Sequence, residues 1–207
     1  GRIQEGRVAV ETAADPASFG AYLRFSTVSV PTIEAQVCLS YVSVAGARAA
    51  LTAEMPSWAF EATRDAAEAA WEAELSKIEV SGGTADHRAV FYTSLYHALQ
   101  MPTLWTDVDG RYTGFDGQVH VADGWNYVTD ISLWDTYRTQ NPLLTLAWPQ
   151  WQASTLQSLA MMVAQGGYVP KWPMGAGDTN SMIGQHAAST AADTWLKGVT
   201  EFDIDTL

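Results

Sequence analysis

The sequence predicts an α+β chain in two unequal parts, the closing strands of a larger sheet followed by an array of helices. Three observations predict this. Short β-branched and alternating runs fill the first 43 or so residues. Apolar residues then recur at spacings of three, four and seven. Between those helical stretches lie long connections rich in Asp, Gly and aromatic residues. Long helices joined by such loops suggest an α/α toroid in which one set of loops builds a pocket.

The elements follow in order. Residues 7–11 are short and β-branched, and residues 19–25 follow the Asp15-Pro16 turn signal. Residues 32–41 place Ile33, Ala35, Val37, Leu39 and Tyr41 on one face with a period of two, the signature of an amphipathic strand. Three strands do not make a stable sheet domain by themselves, so they read as the end of a larger sheet. A short Ala-rich helix over 45–54 stops at Pro56. The next helix, 58–80, carries Phe60, Ala67, Trp71, Leu75 and Ile78 on one side and ends at Gly82-Gly83. A third helix over 85–100 presents Val90, Phe91, Leu95 and Leu99. After a long loop, 102–130, helices recur at 131–140, 149–165 and 181–197, with Gly166-Gly167 and Gly198 as stops.

Composition removes several function classes. Eleven Lys and Arg against 23 Asp and Glu give 11 − 23 = −12, which repels phosphate backbones and argues against nucleic-acid binding. No apolar run reaches the about 18 residues that a membrane helix needs. The single cysteine, Cys38, has no internal disulfide partner and reads as a small buried hydrophobe in a strand. Nine Trp beside many carboxylates suit sugars, because indole faces stack on pyranose C–H surfaces and carboxylates accept from hydroxyls. The chain starts as though cut from something longer, with no initiator Met and no signal-peptide core.

Familiar motifs are absent: there is no HExxH, GxxxxGK[ST], GxSxG or CxxC. Asp107-Val108-Asp109-Gly110 resembles the opening of a calcium loop, but its glycine comes too early and Gln118 stands where the bidentate glutamate belongs. A turn held by Asx hydrogen bonds is the simpler reading. His87, His97, His120 and His186 share no metal-ligand spacing and read singly as structural hydrogen-bonders.

Three segments remain as candidates for chemistry, each placing an acid beside an aromatic at an element boundary. They are residues 113–120, with Asp116 and His120; residues 132–139, with Trp134, Asp135 and Arg138; and residues 171–186, with Trp172, Asp178, Thr179, Asn180 and His186. Each also has a structural reading. Asp135 and Arg138, at i and i+3, suit a helical ion pair. Asp178 suits the cap of a helix beginning near Ser181.

Five strings occur in order: residues 91–97 (FYTSLYH), 107–114 (DVDGRYxG), 133–138 (LWDTYR), 141–146 (NPLLTL) and 178–186 (DTNSMIGxH). Together they resemble glycoside hydrolase family 92, the calcium-dependent exo-α-mannosidases, over about residues 20–200. The resemblance implies an N-terminal β-sandwich joined by helices to an (α/α)6 barrel. Residues 1–43 are then the C-terminal part of the sandwich, 44–83 the helical linker and 84–207 the N-terminal part of the barrel. It also implies removal of terminal α-linked mannose with inversion, a bound Ca2+ that helps distort the sugar and position water, and a secreted or cell-surface location. Inversion needs a general acid and a base whose carboxyls stand roughly 6.5–9.5 Å apart.

The acid that the resemblance implies is a glutamate in a GxETx segment, and the matching position here is Asp178. Aspartate is one methylene shorter, and a misplacement of about 1 Å can cost about 10²-fold. Two readings follow. Either backbone movement lets Asp178 serve as acid, or proton donation is weak and the enzyme suits a leaving group that needs no proton, such as the phosphate of a mannosyl phosphodiester. The other residues carried over are Thr179, Asn180 and His186 as sugar contacts, Trp134, Asp135 and Arg138 around the mannose pocket, Asp116 and His120 as further pocket candidates, and Trp172 as a stacking platform. The family's base lies well downstream, and the chain ends 207 − 178 = 29 residues past Asp178. The base and the metal ligands are therefore expected beyond Leu207, and the remainder of the catalytic unit is needed for activity. The alternatives are another (α/α)6 carbohydrate hydrolase or a non-catalytic sugar-binding protein.

Overall fold

The computed structural model describes residues 7–12, 19–24, 28 and 31–207, the first two stretches as backbone. Two compact units divide the chain after Gln36. In the first, β1 (Arg7–Thr12) pairs antiparallel with β2 (Phe19–Arg24), with Arg7 opposite Arg24 and Thr12 opposite Phe19. The Asp15-Pro16 turn signal and Phe25 lie outside the described residues.

The strand expected over 32–41 does not form. Residues 31–40 carry no strand, Val37 and Leu39 are largely exposed, and Cys38 is only half-buried. Alternation marks a segment able to bury one face, but a strand also needs a neighbour to bond, and none pairs with it among the described residues.

The second unit contains the helices. In α1 (Val44–Glu54) the Ser43 hydroxyl accepts from the Gly46 N–H at 3.0 Å, an ordinary N-cap. Then come α2 (Phe60–Leu75) and α3 (Ala85–Ala98). The second is five residues shorter at its end than its apolar spacing predicts, because residues 77 and 78 close with tighter i→i−3 bonds. Thr84 and His87 form a reciprocal capping box on α3, giving His87 a structural role. Four short strands follow: β3 (Thr103–Leu104), β4 (Arg111–Thr113), β5 (Val119–Val121) and β6 (Val128–Thr129), paired β3–β6 and β4–β5.

Where one helix over 131–140 was expected there are two, α4 (Leu133–Thr136) and α5 (Gln140–Ala147). Thr139 leaves helical geometry at φ −133°, and Pro142 falls in the first turn of α5, where its missing N–H costs nothing. Next, α6 (Pro149–Gly166) starts with Pro at its first position and ends at Gly167, whose φ is 76°. The hairpin β7 (Pro173–Met174) and β8 (Gly177–Asp178) leads to α7 (His186–Leu196). That last helix begins five residues later than expected. Asn180, Met182 and Gly184 have φ of 56°, 67° and 85°, which no right-handed helix accommodates.

The main core gathers Leu156, Leu159 and Met162 of α6, Ala187 and Ala191 of α7, and Tyr112, Tyr127 and Val128 from the loop strands. A smaller cluster joins Leu95, Leu144 and Trp148. Gln152, near the start of α6, and Thr194, near the end of α7, meet at 3.1 Å. Gln165, near the other end of α6, donates to the Tyr112 hydroxyl at 3.1 Å. Eighteen residues make α6 about 27 Å long. Its length separates an apolar cleft at its N-terminal end, about 470 Å3 and lined by Trp71, Trp148 and Trp151, from the Gln165–Tyr112 contact at its C-terminal end.

Gly46 and Ala50 are buried one turn apart on α1, where small residues admit a close neighbour. A Cβ at Gly46 would collide with the Asp107 carboxylate and the Ser40 hydroxyl, which hydrogen-bond each other at 2.6 Å. Gly46→Ala is expected to destabilise the unit by about 1–3 kcal/mol, as overpacking does. Combining it with Asp107→Ala should recover part of that loss in a chemical-denaturation double-mutant cycle.

Candidate functional site

The segment bearing Asp178 is held from both sides. The Ile131 N–H donates to the Pro173 carbonyl at 3.2 Å and the Thr129 hydroxyl to the Gly175 carbonyl at 3.0 Å. Trp105 lies under the turn, close enough that a Cβ on Gly175 would sit 3.2 Å from its ring. Within the hairpin one Asp178 oxygen, Oδ1, accepts from the Trp172 backbone N–H at 3.0 Å. The Thr179 N–H and hydroxyl both donate to the Trp172 carbonyl at 3.1 Å. The other Asp178 oxygen has no hydrogen-bond partner among the described residues. Asp178 does not cap α7: it lies in β8, eight residues before His186, and the cap position, Gln185, makes no side-chain bond.

Beyond Asp178 the backbone is strained. Asn180 and Met182 are two of the three described non-glycine residues with positive φ; the third is Asp130. Such residues cost about 1–3 kcal/mol each and cluster where a loop is held for a purpose.

A second group sits on α4 and the start of α7. The Arg138 guanidinium lies 5.2 Å from the Trp134 ring centre and 5.0 Å from that of Tyr137. Tyr137 in turn stacks on His186 at 4.2 Å with planes 9° apart. Indole, guanidinium, phenol and imidazole thus form one continuous stack. The expected Asp135–Arg138 ion pair is absent. Asp135 instead accepts a very short hydrogen bond from Ser132 Oγ, and the aromatic rings hold Arg138 away from it. Tyr137 was not among the residues singled out from the sequence; its position between Trp134 and Arg138 in one helical turn was the available signal.

Asp116 and His120 face each other across the β4–β5 turn, with His120 Nε2 3.0 Å from each carboxylate oxygen. The Gln118 backbone N–H, and after it the His120 ring, hold the Asp116 carboxyl below the usual carboxylate range. Among the described residues no hydrogen bond, ion pair or ring contact joins this pair to residues 172–186. The structure therefore brings Trp134, Arg138 and His186 together, and Trp172, Asp178 and Thr179 together, and leaves Asp116 and His120 as a separate pair. Asp107 and Asp109 form the turn expected of them: Gly110 N–H donates to the Asp107 carbonyl at 2.9 Å and Arg111 N–H to Asp109 at 3.2 Å. Among the described residues no three His, Cys, Asp or Glu side chains converge, so they do not make a calcium shell by themselves. No helix of the described residues is long and apolar enough to cross a membrane.

The unit is mostly helical and carries acids and aromatic residues on its loops, and its sequence matches a known family. The model of the glycosyl hydrolase family 92 catalytic domain matches residues 46–207. The chain belongs to this family. Among solved structures it is similar to the family GH92 α-mannosidase BT3965 from Bacteroides thetaiotaomicron, at 34% identity over 81% of this chain and TM-score 0.76. It is also similar to the inverting mannosidase BT2199 from the same organism, at 28% identity over 81% of this chain and TM-score 0.75. No curated protein matches. The chain spans only 23% of each of those two structures.

Proposed function

We propose that the chain is part of an inverting exo-α-mannosidase that removes terminal α-linked mannose from glycans. The observation that carries this is the membership of residues 46–207 in the family together with similarity at 34% identity to an α-mannosidase. The same α-mannosidase, BT3965, is also solved in complex with mannoimidazole, which supports a mannose-shaped pocket. In this reading Asp178 is the general acid, tied down through one oxygen by Trp172 N–H and presenting the other to the leaving oxygen. The Trp134–Arg138–Tyr137–His186 stack and Asp135 form a wall of the mannose pocket. Trp172 offers a stacking face, Thr179 and Asn180 contact hydroxyls, and Asp116 and His120 stand further out.

The same reading gives residues 1–43 to the end of a β-sandwich, 44–83 to a linker and 84–207 to the first part of an (α/α)6 barrel. It places the protein outside the cytoplasm, where α-mannans and glycoproteins are found. Ca2+ is the proposed cofactor, and no role of Asp178 runs through it. Inversion also requires a base that activates water, so mannose release is expected of the complete catalytic unit.

Because aspartate stands in the acid position, mannose-1-phosphate linkages are a second substrate class for the same reading, since a phosphate leaves without a proton. The test is kcat/KM of the complete unit on α-mannobiose against a mannosyl phosphodiester. A higher value for the phosphodiester would support the phosphate reading; equal or better turnover of mannobiose would remove it.

A further inference from the structure

Four polar side chains around one cleft have no hydrogen-bond partner among the described residues: the Glu54 carboxylate, the Thr106 hydroxyl, the Trp125 indole N–H and the Asn126 carboxamide. The cleft holds about 430 Å3, within the about 300–1,000 Å3 usual for small-molecule sites. It runs between the end of α1, where Glu54 continues the Gly46–Ala50 stripe, and the loops at 104–110 and 122–126.

Its walls are fixed. Trp125 packs edge-on against Tyr112 at 6.1 Å, and Tyr112 stacks on the fully buried Tyr127 at 4.0 Å. The Asn126 backbone is held by Ser154 and Ser158 of α6 at 3.3 and 3.4 Å. Asp107 also lines the cleft, with one carboxylate oxygen accepting from the Ser40 hydroxyl at 2.6 Å. Gly110 keeps the floor open: its φ is 80°, and a Cβ there would lie 2.8 Å from the Ala122 carbonyl.

The chemistry selects the ligand. Two carboxylates repel an anion. A hard cation needs more converging oxygens than one free carboxylate supplies, and no cluster of three acidic or imidazole groups exists among the described residues. What remains is a neutral molecule that both donates and accepts. The indole N–H only donates, the carboxylate only accepts, and the hydroxyl and the amide do both. Sugar hydroxyls meet that mixture, and the indole edge supplies an apolar contact for a ring.

We propose that this cleft is a second carbohydrate-binding site, distinct from the Asp178 hairpin, that takes a short mannose-containing oligosaccharide. The choice of mannose rests on the function proposed above; the choice of a polyhydroxylated neutral ligand does not. Its separation from the hairpin follows from alternation along an extended chain: Leu104 and Thr106 line the cleft, whereas Trp105 between them lies under Gly175. The site would hold a branch of the glycan while another end is cleaved, so it raises apparent affinity for long substrates and leaves small ones unaffected.

The test uses the complete catalytic unit carrying fluorine-labelled tryptophan, with the Trp125 resonance identified by Trp125→Phe. Titration with a non-hydrolysable, sulfur-linked α-mannobiose should shift that resonance saturably. Asn126→Ala and Glu54→Gln should each weaken the binding about tenfold, the loss of one good polar contact to a ligand. Both variants should release mannose from a small aryl α-mannoside at the parent rate. A Trp125 resonance that does not move, or one whose titration is unchanged in both variants, overturns the site. Saturable shifts weakened by both variants in a protein that releases no mannose would support the site and refute the hydrolase reading instead.

Discussion

Asp178→Asn is expected to lower kcat for α-mannobiose by about 10²–10⁴-fold, the usual worth of a positioned general acid. Asparagine keeps the shape and can still accept the Trp172 N–H that fixes the hairpin at 3.0 Å, so the geometry survives while the transferable proton is lost. The mannosyl phosphodiester behaves differently. Its leaving group needs no proton, so the same substitution should cost less than about tenfold there. Asp178→Glu extends the carboxyl by about one methylene, the reach whose loss can cost about 10²-fold, and should raise mannobiose turnover. Steady-state rates on the two substrates check all three statements. Equal losses on both substrates with Asp178→Asn would mean that the carboxylate does not act at the leaving oxygen.

Leu159→Ala is the substitution expected to cost most stability. Leu159 is fully buried on α6, in the cluster that joins α6, α7 and the loop strands. Removing its branched end loses transfer energy and leaves a void, together about 2–5 kcal/mol. For a unit of this size each kcal/mol moves Tm by about 2–4 °C, so calorimetry should record a drop of several degrees or more. A loss below about 1 kcal/mol would show that the α6–α7 interface is not packed as described. The consequence for function is direct, because the Asp178 hairpin and the start of α7 are both positioned from this core.

Legibility followed the physics of each element. Gly166-Gly167 at the end made α6 readable to within one residue, and α3 starts at Ala85 as its pattern predicts. The two apolar runs before residue 25 also appear as paired strands. What failed depended on partners or on backbone strain. Residues 32–41 alternate correctly yet pair with no described strand. Pro142 opened a helix where proline is more readily read as a stop. Met182 at φ 67° carries no signal in its side chain, so the late start of α7 was hidden. At the site, residue types were legible and their grouping was not. The Tyr137–His186 stack depends on how α4 meets α7 across 49 residues of chain, a separation taken from 186 − 137. The Asp116–His120 pair depends on the turn at Gly117, with φ 71°. The bond from Trp172 N–H to Asp178 replaced the capping role that spacing alone suggested.

The central claim is that this chain contributes to inverting hydrolysis of α-mannosides, and proton NMR of the first sugar released tests it most directly. The complete catalytic unit acting on an α-mannoside should release β-mannose first, with the α-anomer appearing only as mutarotation proceeds. Release of α-mannose first would contradict inversion, and absence of mannose altogether would contradict the activity.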